Sequence, residues 1–165
     1  MRRQVLSTQA SRETPAVKTW VGLLRAHAAL TRELSADLVH QHGLTINDYE
    51  VLLHLAHAEG RRLRRVDLAD RLLLTASGIT RLLDGLERAG YVEKGRCESD
   101  ARVTYAVLTD AGFAKLREAS DTHVGDIRNV FESRFSKNEL ETLSVLLERL
   151  PTDGTPSEEC SVPEE

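Results

Sequence analysis

Four groups of side chains have the types and spacing to do chemistry. Ser77, Thr80 and Arg81 recur at steps of three and four, which sets two small hydroxyls and a guanidinium on one helix face. Such a face exchanges hydrogen bonds with flat polar edges and attracts anions. Arg61, Arg62, Arg64 and Arg65 form a cationic cluster, which either is simply solvated or binds phosphate. Lys94, Arg96 and Arg102 flank the charged loop Gly95–Ala101 and offer the same anion chemistry. The fourth group is Cys97 with the six histidines. Arg96 beside Cys97 could lower the thiol pKa and make it a redox sensor, although an inert exposed thiol is the plainer expectation. His54 and His57 lie three apart, yet no Cys/His spacing matches a closed zinc site, so no metal is expected. No Gly-rich phosphate loop, His-Glu-x-x-His or nucleophile elbow occurs, so neither an enzyme nor a cofactor is expected.

Those groups need elements to hold them. From about Ala16 to Gln41, Val17, Trp20, Leu24, His27, Leu30, Leu34 and Leu38 recur every three or four residues. That predicts a long helix stopped by Gly43. Thr45, with Asp48 three residues on and Leu44 able to staple to Tyr49, predicts a second helix running to Gly60. A short helix from Val66 to about Leu73 would bury Leu68, Ala69 and Leu72. Thr75 then caps a third, with Ile79, Leu82, Leu83 and Leu86 inward and Ser77, Thr80, Arg81, Asp84 and Arg88 outward, ending at Gly90. The period next falls to two, predicting strands over 91–94 and 102–108. Thr109 caps a long helix carrying Phe113, Leu116, Ile127, Val130 and Phe131. Ser136 and Glu139 form a capping box, with Phe135 and Leu140 as its staple, for a last helix that runs to Pro151. The fold class is mainly α with a small β-hairpin wing: helix, short helix, turn, helix and two-stranded hairpin make a winged helix-turn-helix flanked by long helices. The second helix of such a pair exposes side chains that fit a DNA major groove.

Charge at first argues otherwise. The chain has 165 residues, 22 Lys+Arg against 26 Asp+Glu, and a formal net charge of -4. Duplex binding is driven by cationic contacts to phosphate. The charges are unevenly placed, however. Residues 151–165 hold five acids and no Lys or Arg, so residues 1–150 carry 22 basic and 21 acidic residues, a net of +1. Arg61–Arg102 holds ten basic and seven acidic residues, a net of +3. A basic middle sits in an acidic frame. With 41% hydrophobic residues there is material for a core. No apolar run approaches a membrane span and the polar N-terminus lacks a secretory h-region, so no membrane partner is expected. Two cysteines, Cys97 and Cys160, cannot make a disulfide framework, which points to a reducing, cytoplasmic location.

Over roughly residues 16–150 the chain resembles the MarR family of bacterial transcription regulators. The resemblance is carried by Asp100-Ala101-Arg102 followed by Leu108-Thr109-Asp110-Ala111-Gly112, the family's Asp-x-Arg and Leu-Thr-x-x-Gly wing signature. Asp67–Leu72 and Gly78–Glu87 support it. It implies that double-stranded DNA is met by Arg65, Thr75, Ala76, Ser77, Gly78, Thr80 and Arg81, with Lys94, Arg96 and Arg102 from the wing and Asp100 holding the wing turn. It also implies a homodimer on a pseudo-palindromic operator, repression of transcription, and a small-molecule effector in a crevice between dimer region and DNA-binding lobe. Trp20, Tyr49 and Phe113 are candidates to line that crevice, with ordinary core packing the plainer role for each. The expected division is a mobile arm over 1–15, a dimerisation helix over 16–43, a DNA-binding domain over 44–108, dimerisation helices over 109–150 and a disordered acidic tail over 151–165. Two departures stand out. Ala101 replaces an Arg frequent in the wing motif, and Arg64 and Arg65 stand where a Ser or Thr cap is common. The alternative is a winged-helix protein-interaction module without specific DNA binding.

Overall fold

The computed structural model describes residues 14–96 and 103–150. The order is α1 (Pro15–His42), α2 (Ile46–His57), a 3-10 turn (Glu59–Arg61), β1 (Arg62–Arg64), α3 (Arg65–Arg71), α4 (Ala76–Arg88), β2 (Val92–Arg96), β3 (Thr104–Leu108), α5 (Asp110–Glu132) and α6 (Lys137–Leu147). The fold class is as expected, mainly α with a small antiparallel sheet.

Local chemistry sets most boundaries. The Thr14 hydroxyl accepts from the Val17 N–H and Pro15 opens α1, where a missing N–H costs nothing. Gly43, at φ 68, closes it. Thr45 and Asp48 form a reciprocal capping box on α2, and Ser136 and Glu139 another on α6. Backbone and hydroxyl donors of Ser136 hold the Glu139 carboxyl below its usual pKa.

Helix α2 is the centre of the core. Val51, Leu52 and Leu55 are fully enclosed, and Leu68 of α3, Ile79, Leu83 and Leu86 of α4, Ala106 and Leu108 of β3, and Phe113 and Leu116 of α5 close around them. Fully burying each large side chain contributes ~1.5–3 kcal/mol, so this cluster dominates the lobe's stability. The flanking helices differ. The first half of α1 exposes Val17, Trp20, Val21, Leu23 and Leu24, and α6 buries no residue at all.

Several boundaries depart from expectation: β2 runs to Arg96, so Gly95 and Arg96 lie in a strand rather than in the loop expected from Gly95, because both pair with β3. Helix α2 stops at His57, because Ala58 turns extended and Gly60 (φ 63) serves the 3-10 turn instead. Helix α6 ends at Leu147 rather than continuing to Pro151. Most consequentially, the sheet has three strands in the order β1-β3-β2. The Arg62–Arg64 segment is a strand, pairing Arg62 with Val107 and Arg64 with Tyr105. Its side chains alternate exposed, half-buried, exposed, but three residues between charges give too short a period to detect.

Candidate nucleic-acid interface

Helix α4 is built to present one face. The Thr75 side chain accepts from the Gly78 N–H at 3.1 Å, and the fit is close, since a Cβ on Gly78 would lie 3.2 Å from that hydroxyl. At the other end the Gly90 N–H reaches the Glu87 carbonyl and the Tyr91 N–H the Leu86 carbonyl, both at 3.0 Å. This Schellman closure needs the left-handed backbone that Gly90 supplies at φ 77. Ile79, Leu83 and Leu86 anchor the helix in the core, while Thr75, Ala76, Ser77, Thr80, Arg81, Asp84 and Arg88 are exposed and Gly78 is half-buried.

The exposed face has a defined polarity. The first turn contains no acidic residue, so the helix N-terminus keeps its partial positive charge for an incoming anion. Thr80 donates its proton to the Ala76 carbonyl at 2.7 Å, leaving its oxygen as an acceptor. Ser77 and Thr75 share a hydrogen bond at 3.2 Å. Arg81 makes no ion pair among the described residues, and its guanidinium is presented outward.

The preceding turn is tight as well. Leu73 takes φ 52 and is 83% exposed. The Leu74 N–H bonds to the Ala69 carbonyl at 2.8 Å, closing α3 one step before the α4 cap.

The arginine cluster is largely engaged within the protein. Arg61 lies 4.0 Å over the Phe113 ring and 3.4 Å from Asp110. Arg62 sits 5.2 Å over Tyr105. Arg64, the N-cap residue of α3, makes a two-armed hydrogen bond to Asp67 at 2.8 Å on each arm instead of capping the helix, and this pairing raises its pKa. Arg65 opens α3 half-buried, with one guanidinium nitrogen enclosed and without a partner.

In the wing, β2 pairs with β3 in the register Val92↔Leu108, Lys94↔Ala106 and Gly95↔Tyr105. Lys94 therefore shares the inner face with Val92 and Ala106. Its ammonium meets Glu87 of α4 at 2.8 Å and Asp84 at 3.9 Å. The spacing of Lys94 from Arg96 and Arg102 points to a phosphate contact and gives no hint of this pairing; the signal for it is the two-residue alternation from the apolar Val92. Arg96 closes β2. Its side chain, with Cys97, Asp100 and Arg102, lies outside the described residues, as do residues 1–13 of the arm expected over 1–15, the tail expected over 151–165 and Cys160, while Thr14 and Pro15 belong to the start of α1.

The Leu-Thr-x-x-Gly stretch is a joint. Thr109 caps α5 by accepting from the Gly112 N–H at 3.0 Å, and its own hydroxyl donates to the Gly90 carbonyl at 2.7 Å. The Thr109 N–H bonds to the Tyr91 carbonyl at 3.1 Å. A Cβ on Gly112 would collide with that carbonyl, so only glycine lets wing, reading helix and α5 meet.

The three aromatic candidates are not gathered on one surface. Trp20 is 59% exposed on α1, whereas Tyr49 and Phe113 are buried in the core. The Tyr49 hydroxyl bonds to the Ser120 hydroxyl at 3.0 Å, and its ring packs 4.8 Å from His123. Burial pushes the His123 pKa down, and Asp126 partly opposes it. His42 joins α1 to α5 through Thr122 at 3.0 Å and Glu118 at 3.4 Å. Glu50, facing His54 and His27, is pushed up by burial. A separate open cleft of about 790 Å³ lies on the outer side of the sheet, lined by residues including His57, Arg62, Arg71, Tyr105 and Val107. None of the three aromatic candidates lines it. Among the described residues no three His, Cys, Asp or Glu side chains cluster as a metal site.

A family model described as "MarR family" matches residues 42–103, from the end of α1 to just before β3. AbsC of Streptomyces coelicolor, a MarR family transcriptional regulator, has a similar structure at a TM-score of 0.72 and 34% identity, covering 82% of this chain and 91% of that one. Sco3205, another MarR family regulator of Streptomyces coelicolor, solved in complex with DNA, gives 0.71 and 29%, covering 79% and 81%. The transcriptional regulator MhqR of Bacillus subtilis is 28% identical over 134 residues, 81% of this chain and 90% of its own length. With the helix-turn-helix, the sheet and the Thr109–Gly112 joint in place, these similarities establish that the chain belongs to the MarR family of transcriptional regulators.

Proposed function

We propose that this protein is a sequence-specific DNA-binding transcriptional regulator, a repressor, that acts as a homodimer on a pseudo-palindromic operator. The observation that carries it is the outer face of α4. It has hydroxyls, an exposed Arg81 with no ion pair among the described residues and a helix start free of acid, which is the chemistry that reads base edges and seats on phosphate. Ser77, Thr80 and Arg81 approach the bases, with Ala76 and Gly78 allowing close approach and Thr75 fixing the helix start. Arg65, Arg96 and Arg102 meet the backbone, and Asp100 holds the wing turn. Sco3205 in complex with DNA supports the same use of the fold.

Dimerisation is favoured by the apolar faces left open at both ends of the chain. An 11-residue helix with no buried residue, α6, is too short to be stable alone in water, and the exposed Val145, Leu146 and Leu147 complement the open face of α1. Residues 16–43 and 109–150 thus serve as the dimerisation region around the DNA-binding domain over 44–108. A two-fold dimer sets its reading helices about one DNA turn, ~34 Å, apart. A small-molecule effector between the lobes would act by changing that spacing. The protein works in the cytoplasm, without catalytic activity of its own.

The net charge of -4 favours a second reading, a winged-helix module that binds proteins only. Titration against a labelled duplex pool at low and moderate salt, followed by sequencing of the bound fraction, separates them. Enrichment of a two-fold-symmetric site supports the regulator. Binding that is absent, or without sequence preference, supports the protein-interaction module.

A further inference from the structure

The wing and the reading helix are separate elements that must meet one duplex together. The chain between them, Ala89–Tyr91, is a short turn fixed at its α4 end. The far part of the wing strand is held to the helix by something else. Lys94 sits on the inner face of β2 and reaches Glu87 at 2.8 Å and Asp84 at 3.9 Å, one helical turn apart on α4. The Glu87 side chain is only 19% exposed and the Lys94 side chain 53%, so the closer pair is partly shielded from water, where ion pairs are less screened. On the opposite face Gly95 sits against Tyr105 and Val107, and a Cβ there would come within 2.9 Å of Val107 Cγ2. The strand is thus pressed to β3 on one side and tethered to α4 on the other.

We propose that Lys94 is a positioning residue rather than a phosphate contact: its ion pairs with Glu87 and Asp84 lock the wing against the reading helix at one angle. The same ammonium offsets one of the two carboxylate charges of α4, which would otherwise repel phosphate. The proposal rests on the DNA-reading function only for its effect on binding; the strut itself exists without DNA.

Two measurements test it on the full-length protein. The first uses Lys94→Met and Glu87→Gln, with DNA affinity measured on the best duplex from a random-library selection over a salt series. A strut predicts that both variants weaken binding about two- to fivefold, the range of a partly exposed ion pair. It also predicts that their effects are not additive in the double variant and that the salt slope is unchanged. The decisive sign is that of Glu87→Gln. Removing a negative charge beside DNA should tighten binding if charge alone matters, and should weaken it if the strut matters. Tighter or unchanged binding by Glu87→Gln, or a slope reduced by about 0.9 in Lys94→Met as expected for one lost phosphate contact, overturns the proposal.

The second is amide hydrogen exchange without DNA. Both variants should speed exchange in β2 while leaving the α2 core unchanged. Unaltered β2 exchange in both also overturns the strut. Because this arm needs no operator, it separates failure of the strut from failure of the DNA-reading function.

Discussion

Arg81 and His123 are opposite kinds of polar residue, one exposed, the other enclosed. Arg81 lies on the exposed face of α4 with Thr80 beside it, and among the described residues no ion pair engages its guanidinium. Arg81→Ala is expected to cost ~1–3 kcal/mol of specific DNA binding and to relax preference at one base position. Competition among single-base variants of the selected site checks this, and a uniform loss across all variants would make Arg81 a backbone contact. His123 is 4% exposed, with Nδ1 unpartnered, against the Tyr49 ring. Its pKa is lowered in the folded protein, so the unfolded chain takes up the proton first. The resulting stability is full above the ordinary imidazole value of about 6.5. It falls as the pH drops through that value toward the folded pKa. Urea midpoints between pH 8 and pH 5 should show the advantage of wild type over His123→Gln shrinking as the pH falls; a constant difference would contradict this. The outward groups could be read from spacing alone, because helical periodicity separates the two faces of α4. The enclosed contacts could not. Arg61 on Phe113 and Tyr49 on Ser120 join residues 52 and 71 positions apart, and no local pattern links them.

Among the elements, caps and joints decide more than propensities. Thr45–Asp48, Thr75, Thr109 and Ser136–Glu139 were all legible, since a cap depends on residues three apart. Strand β1 was not, because a three-residue arginine-rich segment becomes a strand only when the edge of β3 is there to pair with it. The left-handed backbones at Arg61 and Leu73 were hidden for a related reason: neither is glycine, and tertiary context imposes them. The Thr109–Gly112 joint explains the Leu-Thr-x-x-Gly motif in steric terms. Gly112→Ala must push α5 away from the Tyr91 carbonyl, a misfit expected to cost ~1–3 kcal/mol. Thermal or urea denaturation reads that loss, and a stability equal to wild type would show that the joint has slack.

At the scale of the whole molecule, charge and apolar surface are segregated. The basic segment Arg61–Arg102 holds α4 and the strands β1 and β2, while the surplus of acid lies outside it. The core around α2 closes on itself within one chain, but α1 and α6 keep apolar faces that the other described residues leave exposed. The proposed homodimer would tie affinity to assembly, since each protomer would supply one α4 and only a pair could meet two half-sites in register. Analytical ultracentrifugation of the protein at micromolar concentration, alone and with the duplex obtained by selection, tests this most directly. The account predicts a dimer in both cases, with two chains per duplex on a two-fold-symmetric site whose half-sites are centred about one DNA turn, ~34 Å, apart. A monomer bound to a single asymmetric site would contradict it.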